Sequence, residues 1–212
     1  LETNPTSAQA ESGSGAGAEA IAIEQADALL FAMAGDAVAE DQDALEAFER
    51  RFDGSAHASA VNAIGVLTKA DLLAADGAQW EPAVQRAAAL RDVLGSLVSA
   101  VVPVASRIAE SVNTGALSAD DLEALMLWAR LEPARRERLL YSTEGSELDP
   151  EISAAAEHRE RLLALLGRYG VRLALELADS GDPFNQVTLA RRLRELSGIG
   201  ELRRQIGGIQ LR

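Results

Sequence analysis

Four consecutive residues, Thr68-Lys69-Ala70-Asp71, have types and an order that could do specific chemistry. An ionised aspartate offers two acceptor oxygens and no donor. It pairs in two-pronged fashion with a planar group that presents two adjacent N–H donors. Guanine is such a group, through its ring N1–H and its exocyclic amino group. Adenine presents an acceptor at the ring position, so the wrong base leaves a buried charge without a partner and is strongly rejected. The lysine beside the aspartate has a long apolar stem that can lie along a purine face. The threonine hydroxyl can bond to neighbouring loops and hold the shape of the turn. Lys69 is the only lysine of the chain; the other 19 of its 20 cationic residues are arginine.

A turn of this kind must stand where a strand ends and a loop begins, because ligands of parallel α/β sheets bind outside the carboxyl ends of the strands. The apolar run Val61–Leu67 leads directly into it. Two further short apolar runs, Ala28–Ala34 and Ala100–Val104, have the length and bounding polar residues of buried strands. Between the runs lie helical patterns. In Asp36–Phe52, Val38, Leu45, Phe48 and Phe52 share one face and acids crowd the others; Trp80–Val98 carries Pro82 in its first turn, where proline is tolerated. Strand, helix, strand, helix, strand predicts parallel strands with crossover helices. After Ser106 the pattern is helical. Ser118 with Asp121 reads as the start of a capped helix running through Leu131. Helices follow over Pro133–Tyr141, Pro150–Tyr169, Val171–Ala178, Val187–Ser197 and Glu201–Ile206, with Thr143–Asp149 as a polar loop. Residues 1–20 read as a loop rich in Ser, Gly, Thr and Ala that enters a short helix near Ala18–Gln25.

Composition limits the chemistry. Of 212 residues 48% are apolar but only 4% aromatic, so the core must be built from Ala, Leu, Val and Ile. With no cysteine there is neither a disulfide nor a thiolate metal site; this, with no signal-peptide pattern, predicts a cytoplasmic protein. No apolar run approaches the ~20 residues of a membrane span. The formal net charge of -13 is uneven: residues 1–112 hold 17 acids and 6 bases, whereas residues 113–212 hold 16 and 14. The acidic front half repels nucleic acid at long range. His57 and His158 lie far apart in polar surroundings and read as surface residues. The acids of Asp36–Phe52 have neither histidine nor calcium-loop spacing beside them and read as a solvated face rather than a metal site.

A second loop adds weight to the first. Ala105-Ser106-Arg107 follows the third apolar run, one helix and one strand after the Thr68 turn. It resembles the S-A-K-type loop whose backbone N–H contacts the guanine oxygen in P-loop GTPases, with Ala105 where Ser is usual and Arg107 where Lys is common. The pattern [N/T]KxD is these proteins' guanine-reading motif, and its threonine form is usual in dynamins. The run DALLF, DALEAF, NAIGVLTKADLL, VVPVA with a long helical continuation is similar to actinobacterial dynamin-like GTPases of the isoniazid-inducible type. The first 112 residues carry that resemblance. It implies an α/β fold in which residues 1–106 are the C-terminal, three-stranded part of a doubly wound G domain and residues 107–212 a helical region. It assigns guanine binding to Thr68, Lys69, Asp71, Ala105, Ser106 and Arg107, and GTP or GDP with Mg2+ as ligands. It further implies GTP hydrolysis by the complete protein, self-association, and work at the inner face of a membrane.

The resemblance is partial. The phosphate-binding loop GxxxxGK[ST] is missing, since Lys69 is already committed, and Gly13-Ser-Gly-Ala-Gly lacks both a lysine and a strand before it. No DxxG magnesium motif precedes the first strand. The expectation is that the chain starts just past that motif, that the magnesium ligands and the phosphate cradle lie upstream, and that these 212 residues alone hold no catalytic residue and do not hydrolyse GTP. The alternative is a helical interaction or DNA-binding module. Leu196–Ile206 resembles a helix-hairpin-helix around Gly198–Gly200, and residues 184–212 hold six Arg against two acids. Phosphate binding usually needs more clustered charge than this, and glycines so placed more often mark a helix boundary.

Overall fold

The computed structural model describes residues 28–35, 39–50, 62–74, 79–141, 158–181 and 183–210. The expected helix at Ala18–Gln25, the loop Thr143–Asp149 and His57 lie outside the described residues.

The three apolar runs form one parallel sheet. β1 (Leu29–Met33), β2 (Ala63–Leu67) and β3 (Ala100–Pro103) are ordered β1-β2-β3, with Leu30 opposite Ile64 and Ile64 opposite Ala100. The crossovers carry α1 (Ala39–Arg50) and α2 (Glu81–Leu94). Alternation along each strand separates two apolar layers. Met33, Ala63 and Leu67 pack with Leu45, Phe48, Leu90 and Leu94 on the side of α1 and α2. Ile64, Val66, Val102 and Val104 face the other way. Every residue of β2 is buried, as a strand flanked on both edges and both faces must be.

Helices account for the rest: α3 (Ser106–Asn113), α4 (Ala119–Ala129), α5 (Pro133–Tyr141), α6 (Arg159–Asp179), α7 (Gln186–Leu196) and α8 (Ile199–Gln210). The fold is therefore α/β and mostly helical, with eight helices among the described residues. α3 to α7 bury their own core around Trp128, Leu125, Leu162, Leu166 and Tyr169. The helical region does not stand apart from the sheet. α8 returns to it and lays Ile199, Leu202, Ile206 and Ile209 on the second apolar layer.

Local chemistry explains most boundaries. Ser118 accepts from the Asp121 N–H while the Asp121 carboxylate accepts from the Ser118 N–H, a complete capping box. Asn185 caps α7 through the Thr188 N–H, two residues before the expected start at Val187. One boundary differs from the sequence reading. The break expected between Tyr169 and Val171 lies instead at Gly167, whose φ of 65° and ψ of 177° interrupt α6. Gly170 is helical, and its missing Cβ makes room for Ile108 of α3, whose side chain would lie 2.9 Å from one. His158 also differs from its reading as a surface residue. Its side chain is two-thirds covered and its Nδ1 stands 3.9 Å from Asp121 Oδ1.

Candidate functional site

The turn after β2 is tied to both neighbouring strands. The Thr68 N–H and hydroxyl both donate to the Met33 carbonyl at the end of β1, at 2.8 and 2.9 Å. On the other side the Val104 N–H donates to the Leu67 carbonyl at 2.8 Å. Lys69 then adopts φ 55° and ψ 27°, the left-handed region, and is the only non-glycine among the described residues to do so. That conformation is uncommon for a residue with a long side chain and clusters at functional sites. It reverses the chain into a single 3-10 turn, Ala70–Leu72, closed by the Leu72 N–H on the Lys69 carbonyl. Ala70 fills the core beneath, and Asp71 is held at 8% exposure.

Among the described residues no hydrogen bond or ion pair engages the Asp71 carboxylate. Its oxygens are not sealed from solvent, so both remain open to a ligand's donors. Asp71 lines an open cleft of about 580 Å³ together with Lys69, Leu72, Ser106, Arg107, Glu110 and Ala164. Two turns 35 residues apart thus share one cleft, each at the carboxyl end of an adjacent strand. Ser106 and Arg107 are the first residues of α3, and the N–H groups of a helix's first turn have no intrahelical acceptor. The cleft therefore combines one buried carboxylate, a lysine stem and backbone donors.

The sequence-assigned residues divide. Lys69, Asp71, Ser106 and Arg107 come together around the cleft. Thr68 stands behind them as a brace and lines a second pocket of about 260 Å³, between Gly35 and Arg86 on the β1 side of Lys69. Ala105 is fully buried and gives its N–H to the Ser197 carbonyl at 2.9 Å, so it anchors the loop and adds nothing to the cleft lining. Arg107 is itself anchored, with Nη1 donating to the Leu163 carbonyl of α6 at 3.1 Å. Glu110 and Ala164 were not legible as site residues, because only the packing of α3 on α6 brings them to the cleft.

The glycine turn near Gly198 has a different role. Gly198 has φ 78°, and a Cβ there would lie 2.0 Å from the Pro103 carbonyl oxygen, so the turn is pressed onto the end of β3. Among the described residues no group of three or more acidic or histidine side chains could hold a metal ion, and no helix is long and apolar enough to cross a membrane. No family model, curated protein or solved structure matches the chain.

Proposed function

We propose that this chain binds a guanine nucleotide, with the cleft between the Lys69 turn and the start of α3 holding the base. The observation that carries this reading is Asp71, a carboxylate with 8% exposure and no protein partner among the described residues, standing in a cleft that the second motif also lines. Two adjacent N–H donors of guanine would satisfy it. The Lys69 stem would cover one face of the base. A backbone N–H at Ser106 would meet the guanine oxygen, since the Ala105 N–H is already spent on Ser197. By its resemblance the chain belongs with P-loop GTPases of the dynamin-like type. GTP hydrolysis, the magnesium ion and an inner-membrane role rest on that resemblance.

Asp71→Asn tests the base reading. An amide cannot accept from both guanine donors, but it can donate to the carbonyl that xanthine carries in place of the amino group. The variant is expected to lose guanosine diphosphate binding by about two orders of magnitude, the scale of about 3 kcal/mol for a lost charge-assisted hydrogen bond, and to gain xanthosine diphosphate. Titrations monitored by amide chemical shifts decide it. Unchanged preference for the guanine nucleotide would remove Asp71 from base recognition.

A further inference from the structure

Resting on that reading, we infer that α6 is a wall of the base site, with Gly167 positioning Asp71 and Ala164 bounding the bound base, so that base binding and the docking of α6 on the sheet are linked. Three independent contacts lead to this. Ala164, exposed on α6, lines the cleft opposite the Lys69 turn. Arg107, at the start of α3, donates to the Leu163 carbonyl one residue earlier. Gly167 faces the Asp71 carboxylate, and a Cβ there would stand 3.4 Å from Asp71 Oδ2. The break in α6 falls at this glycine, beside the only buried carboxylate that lacks a partner among the described residues.

The break has a physical reading. Beyond Gly167 the helix restarts, and the N–H groups of its first turn have lost their i−4 acceptors. The N-terminal end of a helix carries partial positive charge, which favours a carboxylate nearby. Glycine is required by the backbone, since φ 65° with ψ 177° is essentially closed to other residues, and it leaves the Asp71 carboxylate in contact with bare backbone. Two residues on, Tyr169 is buried with its hydroxyl unpartnered and its ring stacked on Trp80, centroids 5.3 Å apart. Two groups that lack a hydrogen-bond partner among the described residues, Asp71 and the Tyr169 hydroxyl, thus border the same break. A base that engages Asp71 takes up one of them and fixes the 3-10 turn against α6. By linkage, whatever α6 packing contributes to base affinity, base binding returns to α6.

The test uses the 212-residue chain with guanosine and adenosine diphosphates at millimolar concentration. Ala164→Leu introduces a good helix former at an exposed position, so melting should be unchanged. Guanosine diphosphate affinity should fall by about tenfold or more, because a base displaced by about an ångström loses its paired geometry. Gly167→Asn sets an amide against Asp71 at a φ of 65° and ψ of 177° that essentially only glycine adopts, so it should lower the melting temperature as well as the guanine-over-adenine ratio. In the unaltered chain guanosine diphosphate, and not adenosine diphosphate, should slow hydrogen exchange both at residues 68–72 and at residues 163–170. Wild-type affinity in Ala164→Leu, or slowing confined to residues 68–72, overturns the shared wall and leaves the base reading standing. No guanine-dependent slowing at residues 68–72 overturns the base reading and the linkage with it.

Discussion

Among the described residues Asp71 and Asp121 are the only buried acids, and they are buried in opposite ways. Asp121 is fully enclosed and fully satisfied. It accepts from the Ser118 N–H and hydroxyl, each at 2.8 Å, and from Arg161 Nε at 3.0 and 3.1 Å. Burial alone would raise its pKa, but the Ser118 bonds and the Arg161 guanidinium outweigh burial and hold the carboxyl below its ordinary 3.8. A lowered folded pKa stabilises the fold above the unfolded value of about 3.9 and is lost as pH falls through the folded value. Asp121→Asn should therefore cost about 2 kcal/mol at neutral pH, from a weakened cap and a broken ion pair. It should also flatten the fall in stability below about pH 4. Urea unfolding at a series of pH values measures both, and an undiminished acid slope would show that another carboxylate carries it. Asp71 has no such set of partners among the described residues and opens onto the cleft, where the proposed base would meet it. The sequence distinguishes them only in part. Ser118 three residues before Asp121 announces a cap, and Lys69 two residues before Asp71 is the spacing on which the proposed base reading rests. Arg161, which completes the first site, comes from a helix whose packing no local pattern predicts.

The strands were legible because short apolar runs between amphipathic helices leave little alternative. The glycines were not, because their roles are set by partners far along the chain. Gly170 is required by Ile108 and Gly167 by the path of α6 past Asp71, and both read alike in a sequence. The docking of α8 was likewise hidden, since its apolar stripe says that one face is covered but not by what. Gly198 and Gly200 make the difference measurable. At Gly198, φ 78° and the Pro103 carbonyl leave no room for a methyl group. Gly198→Ala should cost about 3 kcal/mol or more, through strain and the parting of α8 from β3. At Gly200, within α8, a Cβ would meet nothing within 4 Å, so alanine should stabilise by about 0.5–1 kcal/mol. Thermal melts of the two variants check this. Equal, small effects would mean that the turn does not bear on the sheet and would reopen the reading of Leu196–Ile206 as a phosphate-contacting hairpin.

Across the whole molecule, the sheet is covered unevenly. α1 and α2 cover one face of all three strands, drawing Leu29 and Phe31 partly under cover. α8 packs on β2 and β3 on the other face, and there Leu30 is 51% exposed. Along its outer edge β1 has no partner among the described residues, whereas β2 is paired on both sides. Alternate residues of a parallel strand turn both N–H and C=O to the same neighbour, so half of the β1 backbone groups face outward. Exposed edges with apolar side chains recruit other strands. A net charge of -13 opposes that, and salt screens the opposition, with a Debye length of about 10 Å at 0.1 M and about 3 Å at 1 M. The chain should therefore associate through β1, more so as salt is raised. Leu30→Lys should weaken the association, because a charged side chain blunts an edge without disturbing the β1–β2 ladder. Sedimentation at two salt concentrations reads the association, and hydrogen exchange reads the edge. In the monomer the outward amides of residues 29–32 should exchange well ahead of those of residues 64–67, which are paired on both sides. A demonstrable monomer in which the two sets exchange equally slowly would mean that β1 is covered on its outer edge, and no association through that strand could follow.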